Sequence, residues 1–407
     1  MIEKKPLITI VMPCLNEEAY IGRAIRSLLD SWAIRNCELL VVDGGSTDGT
    51  KKVVEELISK PPESLESWTP GGGGAEGSAS RAGVGGTGLG AQGRPEDKVV
   101  WLMQSRDSWV REVQQGEWNP VTSGKRRAII RLLDNPGRTT ATGMNMGIAQ
   151  AAGKIIVRAD AHCVFPPAYV RRCVELLADK GAANAGGVMI PRGEGGATQA
   201  AIALAMRHPL GTGDAAFRRT EFKGEAEGVI FGTYRKALFD EIGGYDVKAP
   251  ANEDSELNVR IICAGKKIYL DSDIKITYFP RKTLRELGKQ YFRYGRGRAR
   301  TTLRHRLLTG WRQAAAPVLV LVTLYAIVRA VLGRPVHLLV PAAYGLGIVG
   351  AAFLTLDGEK RKRAREAEPD AGANGITFKT RMTVAAAWGV MHLSWGAGFL
   401  FGLVKWW

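Results

Sequence analysis

The stretch Lys154-Ile155-Ile156-Val157-Arg158-Ala159-Asp160-Ala161-His162 decides the fold. A β-branched run that leads into an acidic residue has the form of a buried parallel strand. In open α/β sheets, ligands collect just beyond the carboxyl ends of such strands. Asp160 and His162 stand two apart, so an extended chain turns both to one side. A carboxylate and an imidazole placed this way predict a divalent-cation site facing a diphosphate. The alternative is a surface acid after a strand and a histidine satisfied within the fold.

Upstream, residues 7–12 predict a first strand, and Pro13-Cys14-Leu15-Asn16-Glu17-Glu18 a loop. Residues 19–29 repeat apolar side chains at helical spacing: Ile21, Ala24, Ile25, Leu28 and Leu29. Residues 38–42 predict a second strand ending at Asp43, and the turn from Gly44 to Thr50 opens a helix over 51–58, with Ser46 or Thr47 as N-cap. This β-loop-α-β-loop-α order is half of a doubly wound nucleotide-binding sheet. Residues 61–97, from Pro61-Pro62 through a glycine-rich run to Gly93, lack the apolar content to bury a core. They predict a flexible insertion and not a phosphate loop, because no Gly-Lys-Ser/Thr occurs and no strand precedes them. Residues 98–103 then predict a strand, 107–115 a helix, 128–133 a strand and 139–152 a helix loosened by Gly143 and Gly147.

Downstream, Pro166-Pro167 opens a helix over 168–180, and 182–190 is a strand. Residues 192–224 are glycine-rich, basic and without period; they read as a connection or as a loop that closes over substrate. Residues 228–234 predict a strand and 236–242 a short helix. A helix over 255–264 follows, with Glu253 and Asp254 at its start. Two late strands cover 268–270 and 274–278. An amphipathic helix over 283–294 carries Leu284, Leu287, Tyr291 and Tyr294 on one stripe.

Residues 314–332, 336–356 and 382–404 are apolar runs, each able to cross about 30 Å of hydrocarbon. Arg293, Arg296, Arg298, Arg300, Arg304, Arg306 and Arg312 precede the first, and Lys360-Arg361-Lys362-Arg363-Ala364-Arg365 lies between the second and third. The excess of positive residues places residues 1–280 and the 357–381 loop in the cytoplasm, with 281–313 as interfacial helices and 314–404 as three spans of the inner (plasma) membrane. It also locates much of the net charge of +16 beside the bilayer, which favours lipid headgroups over nucleic acid as the partner. The five cysteines form no Cys-x-x-Cys pair, so neither a zinc site nor a disulfide framework is expected. The apolar run at the N-terminus ends at Pro13 and is too short for a signal peptide.

Seven segments then resemble one family: PCLNEE at 13–18, DGGSTDGT at 43–50, NPGR at 135–138 with MNMGIAQAAG at 144–153, RADAH at 158–162, FDEIGGYD at 239–246, NEDSEL at 252–257 and QYFRYGRGR at 290–298. In this order they resemble the family-2 glycosyltransferases of the GT-A fold, most nearly the succinoglycan-type exopolysaccharide glycosyltransferases of bacteria. The resemblance implies an α/β, Rossmann-like nucleotide-sugar-binding domain followed by the helical membrane region. It implies that Pro13, Leu15 and Glu17 line the nucleotide base and that Asp43 accepts from a uracil-type ring. Asp160 would be the first acid of a DxD motif that holds the metal and diphosphate, and Asp254 the catalytic base. Gln290 and Arg293 would match a QxxRW-like element on the diphosphate, with Tyr294 in place of tryptophan. Arg138, after its Asn-Pro-Gly turn, reads either as a phosphate contact or as a surface arginine. The last DxD position is His162, and an imidazole ligand favours Mn²⁺ over the harder Mg²⁺.

The implied activity is inverting transfer of a hexose from a nucleotide-diphosphate sugar, expected to be a UDP-sugar, to a lipid-linked saccharide. Three spans are few for a polysaccharide channel, so stepwise addition or an oligomer is expected. The alternatives are a polyprenyl-phosphate monosaccharide synthase and a non-catalytic membrane scaffold that binds nucleotide sugars.

Overall fold

A computed structural model describes residues 8–29, 37–59, 129–213, 215–249, 251–306, 312–366 and 376–406. The expected insertion at 61–97, the strand at 98–103 and the helix at 107–115 lie outside these residues.

The strands β1 (Ile8–Cys14), β2 (Cys37–Asp43), β3 (Ile129–Asp134) and β4 (Ile155–Arg158) lie parallel in the order β3-β2-β1-β4. β2 and β4 are buried along their whole length, which accounts for their unbroken apolar runs. The sheet continues through β8 (Thr233–Arg235), β6 (Asn184–Pro191) and β9 (Ile268–Tyr278) to β5 (Cys163–Val164), and β7 (Lys223–Glu225) pairs with β9. β8 runs antiparallel to both β4 and β6, so the sheet is mixed from that point on.

Helices cover both faces. α1 (Ile21–Leu29), α2 (Thr50–Ser59), α4 (Tyr169–Asp179) and α5 (Ala197–Arg207) bury their apolar sides on one face. α3 (Thr140–Gln150), α6 (Leu238–Ile242) and α7 (Glu253–Cys263) cover the other. α3 begins at Thr139 with a capping box: Thr142 N–H donates to Thr139 Oγ1 at 3.1 Å, and Thr139 N–H donates to Thr142 Oγ1 at 3.2 Å. Gly147 does not loosen this helix as expected. A Cβ there would stand 2.3 Å from Val11 Cγ1, so the glycine lets α3 lie flat against β1.

Several expectations change. The N-cap of α2 is neither Ser46 nor Thr47: Thr50 N–H donates to Asp48 Oδ1 at 3.0 Å, while Ser46 and Thr47 bond back to Asp43 and Asn16. The two late strands are one, β9, with a register shift opposite Gly187 and Val188. The strand expected over 228–234 shrinks to β8. The aperiodic stretch 192–224 contains α5, which is apolar on nearly every side and buried from Ala201 to Met206. A helix enclosed all round has no polar face, so no 3.6-residue period shows in its sequence.

The amphipathic helix is also longer than expected: α8 spans Leu284–His305. Three helices follow that are long and apolar enough to cross a membrane: α9 (Arg312–Val331), α10 (Leu339–Glu366, entered by a 3₁₀ turn at Pro335–Leu338) and α11 (Phe378–Trp406). α11 lies along α8, with small residues at the crossing. A Cβ on Gly398 would meet Phe292 O at 2.1 Å, and one on Gly295 would meet Trp395 O at 2.0 Å. Trp388 on α11 is fully buried and donates to Ala205 O at 3.0 Å, tying α11 to α5 as well.

Candidate functional site

The carboxyl ends of β1, β2, β4 and β9 lie along one edge of the sheet, and Asp43, Asp160 and His162 stand at that edge. The loop after β1 and the turn after β2 are tied together by side chains. Asn16 N–H donates to Ser46 Oγ and Glu17 N–H to Thr50 Oγ1, each at 2.8 Å, while Thr47 N–H donates to Asn16 Oδ1 at 2.8 Å. Asp43 sits at the centre of this knot. Its carboxylate accepts from Gly45 and Ser46 N–H at 2.9 Å each and from Ser46 Oγ at 2.5 Å, and Lys51 Nζ stands 3.6 Å away. Burial opposes its ionisation, but the Ser46 and Gly45 bonds and Lys51 outweigh burial and hold Asp43 below the usual carboxylate range. Asp43 is fully enclosed, so in this state its carboxylate serves the turn and not the open cleft. Pro13 pairs with Val42 across β1 and β2, and Leu15 is exposed. Arg138, in the left-handed region at φ 55°, lies across Gly44 and Gly45.

Arg158 is the residue that joins the far side. The alternation of β4 sends Arg158 and Asp160 to one side of the strand. Its Nε stands 3.0 Å from Asp160 Oδ1, and its Nη1 3.0 Å from Glu253 Oε1. One buried guanidinium thus joins the acid after β4 to the acids that open α7. Three carboxylates, Asp160, Glu253 and Asp254, surround it, and this surplus of negative charge keeps Arg158 firmly protonated despite its burial. Asp254 responds in the opposite sense. Burial and the neighbouring Glu253 push its carboxyl up to about 6, and Arg158 and the Ser255 N–H, which donates to Asp254 Oδ1 at 2.8 Å, only partly offset them. The start of α7 is held by Asn252, at φ 59°, whose Nδ2 donates to Tyr294 O at 2.8 Å.

His162 reaches to the loop after β1. Its Nδ1 stands 3.0 Å from Glu17 Oε1, an ionic contact that links β4 to the loop after β1. Burial opposes the charged imidazole, but Glu17 outweighs burial and raises the pKa. The His162 ring meets Tyr278 edge-on at 5.1 Å. Gln290 Nε2 donates to Tyr278 Oη at 3.1 Å and to Tyr294 Oη at 2.8 Å, which brings α8 into the same wall. Arg293 is exposed on α8. Sequence reasoning passed over Arg158 and Tyr278. A cation at the end of an otherwise buried apolar strand, two positions before Asp160, was the available signal for the first.

Among the described residues no group of three or more His, Cys, Asp or Glu side chains forms a closed metal cage. The donor set at Asp160 and His162 fits an ion held partly by protein and partly by a phosphate ligand. The unbalanced charge of the three carboxylates fits a cation as well.

Comparison with known proteins agrees with this architecture. The family model for glycosyl transferase family 2 matches residues 9–66 and 121–243. The succinoglycan biosynthesis protein ExoA of Rhizobium meliloti is 29% identical over 398 residues, covering 96% of this chain and 93% of the relative. Among solved structures, the mannosyltransferase PcManGT of Pyrobaculum calidifontis, in complex with GDP-Man and Mn²⁺, is 17% identical with a TM-score of 0.48 over 99% of this chain and 88% of its own. TarS 1-349 of S. aureus in complex with UDP-GlcNAc is 14% identical with a TM-score of 0.41 over 73% of this chain and 66% of its own. With its GT-A-like mixed sheet and its three long apolar helices, the chain belongs to glycosyl transferase family 2 and is a glycosyltransferase.

Proposed function

We propose that this protein is a membrane-bound inverting glycosyltransferase of exopolysaccharide synthesis. It moves a hexose from a nucleotide-diphosphate sugar, a UDP-sugar in our reading, to a lipid-linked saccharide. The catalytic domain works on the cytoplasmic side of the inner membrane, above helices α9–α11. The observation that carries the reading is the cluster of Asp160, Glu253 and Asp254 around the single buried cation Arg158 at the carboxyl end of β4.

In this reading Asp254 is the base that takes the proton of the acceptor hydroxyl. It sits at a helix N-terminus, partly open to the cleft, and its pKa near 6 makes it a stronger base than an ordinary carboxylate while leaving it ionised at neutral pH. Arg158 fixes the spacing between Asp254 and Asp160. Asp160 and His162 would hold a divalent ion, Mn²⁺ in preference to Mg²⁺, which supplies positive charge to the departing diphosphate. Pro13, Leu15 and Glu17 shape the nucleobase side, and Asp43 rigidifies the turn beside it. Arg138 and Arg293 add donors along the diphosphate, and Gln290, whose Nε2 holds Tyr278 and Tyr294, fixes the wall beside it.

Support for a lipid-linked acceptor comes from the wall shared between site and membrane helices: α8 carries Gln290 and is packed along α11. The test is a screen of radiolabelled nucleotide sugars with the full chain in lipid. Nucleotide release coupled to a labelled lipid-extractable product is expected, and Asp254→Asn must abolish it. A protein that binds every donor and releases nucleotide from none refutes the enzyme reading. A labelled monosaccharide attached directly to a polyprenyl phosphate would replace the acceptor named here.

A further inference from the structure

Arg218 lies in the 192–224 stretch, in a short 3₁₀ turn over Ala216–Arg218 that packs against β6 and β9. Its Nε and Nη1 are buried and meet no hydrogen-bond acceptor, and among the described residues the guanidinium forms no ion pair. Its surroundings are aromatic: Phe217 with its ring centroid 5.3 Å away, and Tyr278, Tyr291 and Tyr294 within electrostatic reach. Burial alone dominates its titration and pulls the pKa below the ordinary arginine value. Unpaired buried cations are strongly disfavoured, so a fold retains one only where something else compensates.

A second orphan stands beside it. Gln290 Oε1 is buried without a donor, while its Nε2 holds Tyr278 and Tyr294. The same two tyrosines border Arg218. Tyr278 also contacts the His162 ring, and Tyr294 lies near Asp254 and takes the Asn252 bond through its carbonyl. The tyrosines around Arg218 therefore also border His162 and Asp254.

We infer that Arg218 is a phosphate-binding residue of this cleft, with Nε and Nη1 gripping two oxygens of a diphosphate side-on. A guanidinium presents this paired geometry to phosphate, and an ammonium does not. The inference rests on the glycosyltransferase reading and deepens it. The diphosphate belongs either to the donor nucleotide or to a lipid-linked acceptor, and the experiment separates the two.

The full chain in lipid nanodiscs, with Mn²⁺ held constant, is titrated with inorganic pyrophosphate, UDP and a short-chain polyprenyl diphosphate, as wild type, Arg218→Met and Arg218→Lys. Arg218→Met is expected to weaken pyrophosphate binding roughly 10- to 100-fold, the scale of a charged hydrogen-bond pair, and Arg218→Lys to recover only part of it. Parallel loss of UDP affinity assigns the residue to the donor. Loss confined to the polyprenyl diphosphate assigns it to the acceptor. Removing an unpaired buried charge should leave the melting temperature equal or higher, whereas a structural arginine would lower it. Wild-type affinity for all three ligands in Arg218→Met overturns the inference and leaves the enzyme reading standing. A wild-type protein that binds none of the three overturns both.

Discussion

Asp254→Asn separates the two consequences of a carboxylate buried beside another. In the unfolded chain this carboxyl titrates near its ordinary value of 3.8; in the folded protein it titrates near 6, because burial and Glu253 disfavour its charge. Between those two pH values the native state holds a proton that the unfolded chain has lost. Stability therefore falls as pH rises through the window, and the deficit stays constant above it. Its size is about 2–3 kcal/mol. Asparagine keeps the shape and leaves an oxygen to accept the Ser255 N–H, while Arg158 retains Asp160 and Glu253 as counter-ions. The variant should therefore be more stable than wild type at pH 7.5 and indistinguishable from it at pH 4. Thermal unfolding in detergent at the two pH values measures this. The same variant should lose transfer by at least about 10²-fold, the usual worth of a general base. Wild-type kcat/KM should fall about tenfold for each pH step of one below 6. An asparagine variant that transfers sugar at near wild-type rate refutes the catalytic role. One that is destabilised at pH 7.5 refutes the electrostatic account of the site.

Other substitutions test the surrounding frame. Arg158→Met strands three carboxylates around one cavity and should destabilise the fold by about 3–5 kcal/mol, read as a fall in melting temperature; an unchanged melting temperature would show that Arg158 does not hold them. A chelator should abolish transfer, Mn²⁺ should restore it better than Mg²⁺, and His162→Asp should reverse that preference; full turnover in excess chelator removes the ion from the reaction. Because Glu17 raises the His162 pKa, the Mn²⁺ concentration needed for half activity should climb as pH falls through that raised value, and a flat dependence would place His162 outside the ion's coordination. Gly398→Leu forces a side chain into Phe292 O and should loosen α11 from α8, seen as faster proteolysis within α11.

The half-sheet was legible because each of its signals is local. β1 and β2 are unbroken apolar runs, the Asp43 turn carries glycine, serine and threonine, and α1 has a plain 3.6-residue stripe. Asp160, His162 and Asp254 could be placed at element ends by the same logic. What stayed hidden depends on partners distant in sequence. α5 is enclosed by β6 and α11 and so shows no polar face. α8 runs past Tyr294 because Gly295 and Gly402 admit close contact with α11 and Gly297 makes room for Ala251 O, although glycine by itself argues for a helix end. Glu17 was expected on the nucleobase side and His162 on the metal; the structure puts them 3.0 Å apart, a pairing that requires the register of β1 and β4. Arg218 sat in a stretch with no period at all, and only its burial without a partner singles it out.

The three long apolar helices do not carry equal loads. Within their most apolar windows α9 and α10 are 11% and 6% buried, and α11 is 44% buried. Side chains such as Val331, Leu346 and Leu354 project from the first two with nothing covering them, a surface suited to hydrocarbon. α11 turns one flank to those helices, with Gly396 against Ala316 and Gly389 near Ile348, and the other to α8 and α5. It is therefore the element through which the catalytic domain is joined to the apolar pair. α8 in turn shows Gln290, Tyr291 and Tyr294 to the site while Gly288, Phe292 and Gly295 rest on α11. A single helix, α8, about 10 Å across, thus separates the site from α11. An enzyme acting on a freely diffusing acceptor gains nothing from this closeness. One whose acceptor hangs from a lipid needs it, because the reacting hydroxyl can then reach Asp254 while the lipid tail stays in the bilayer.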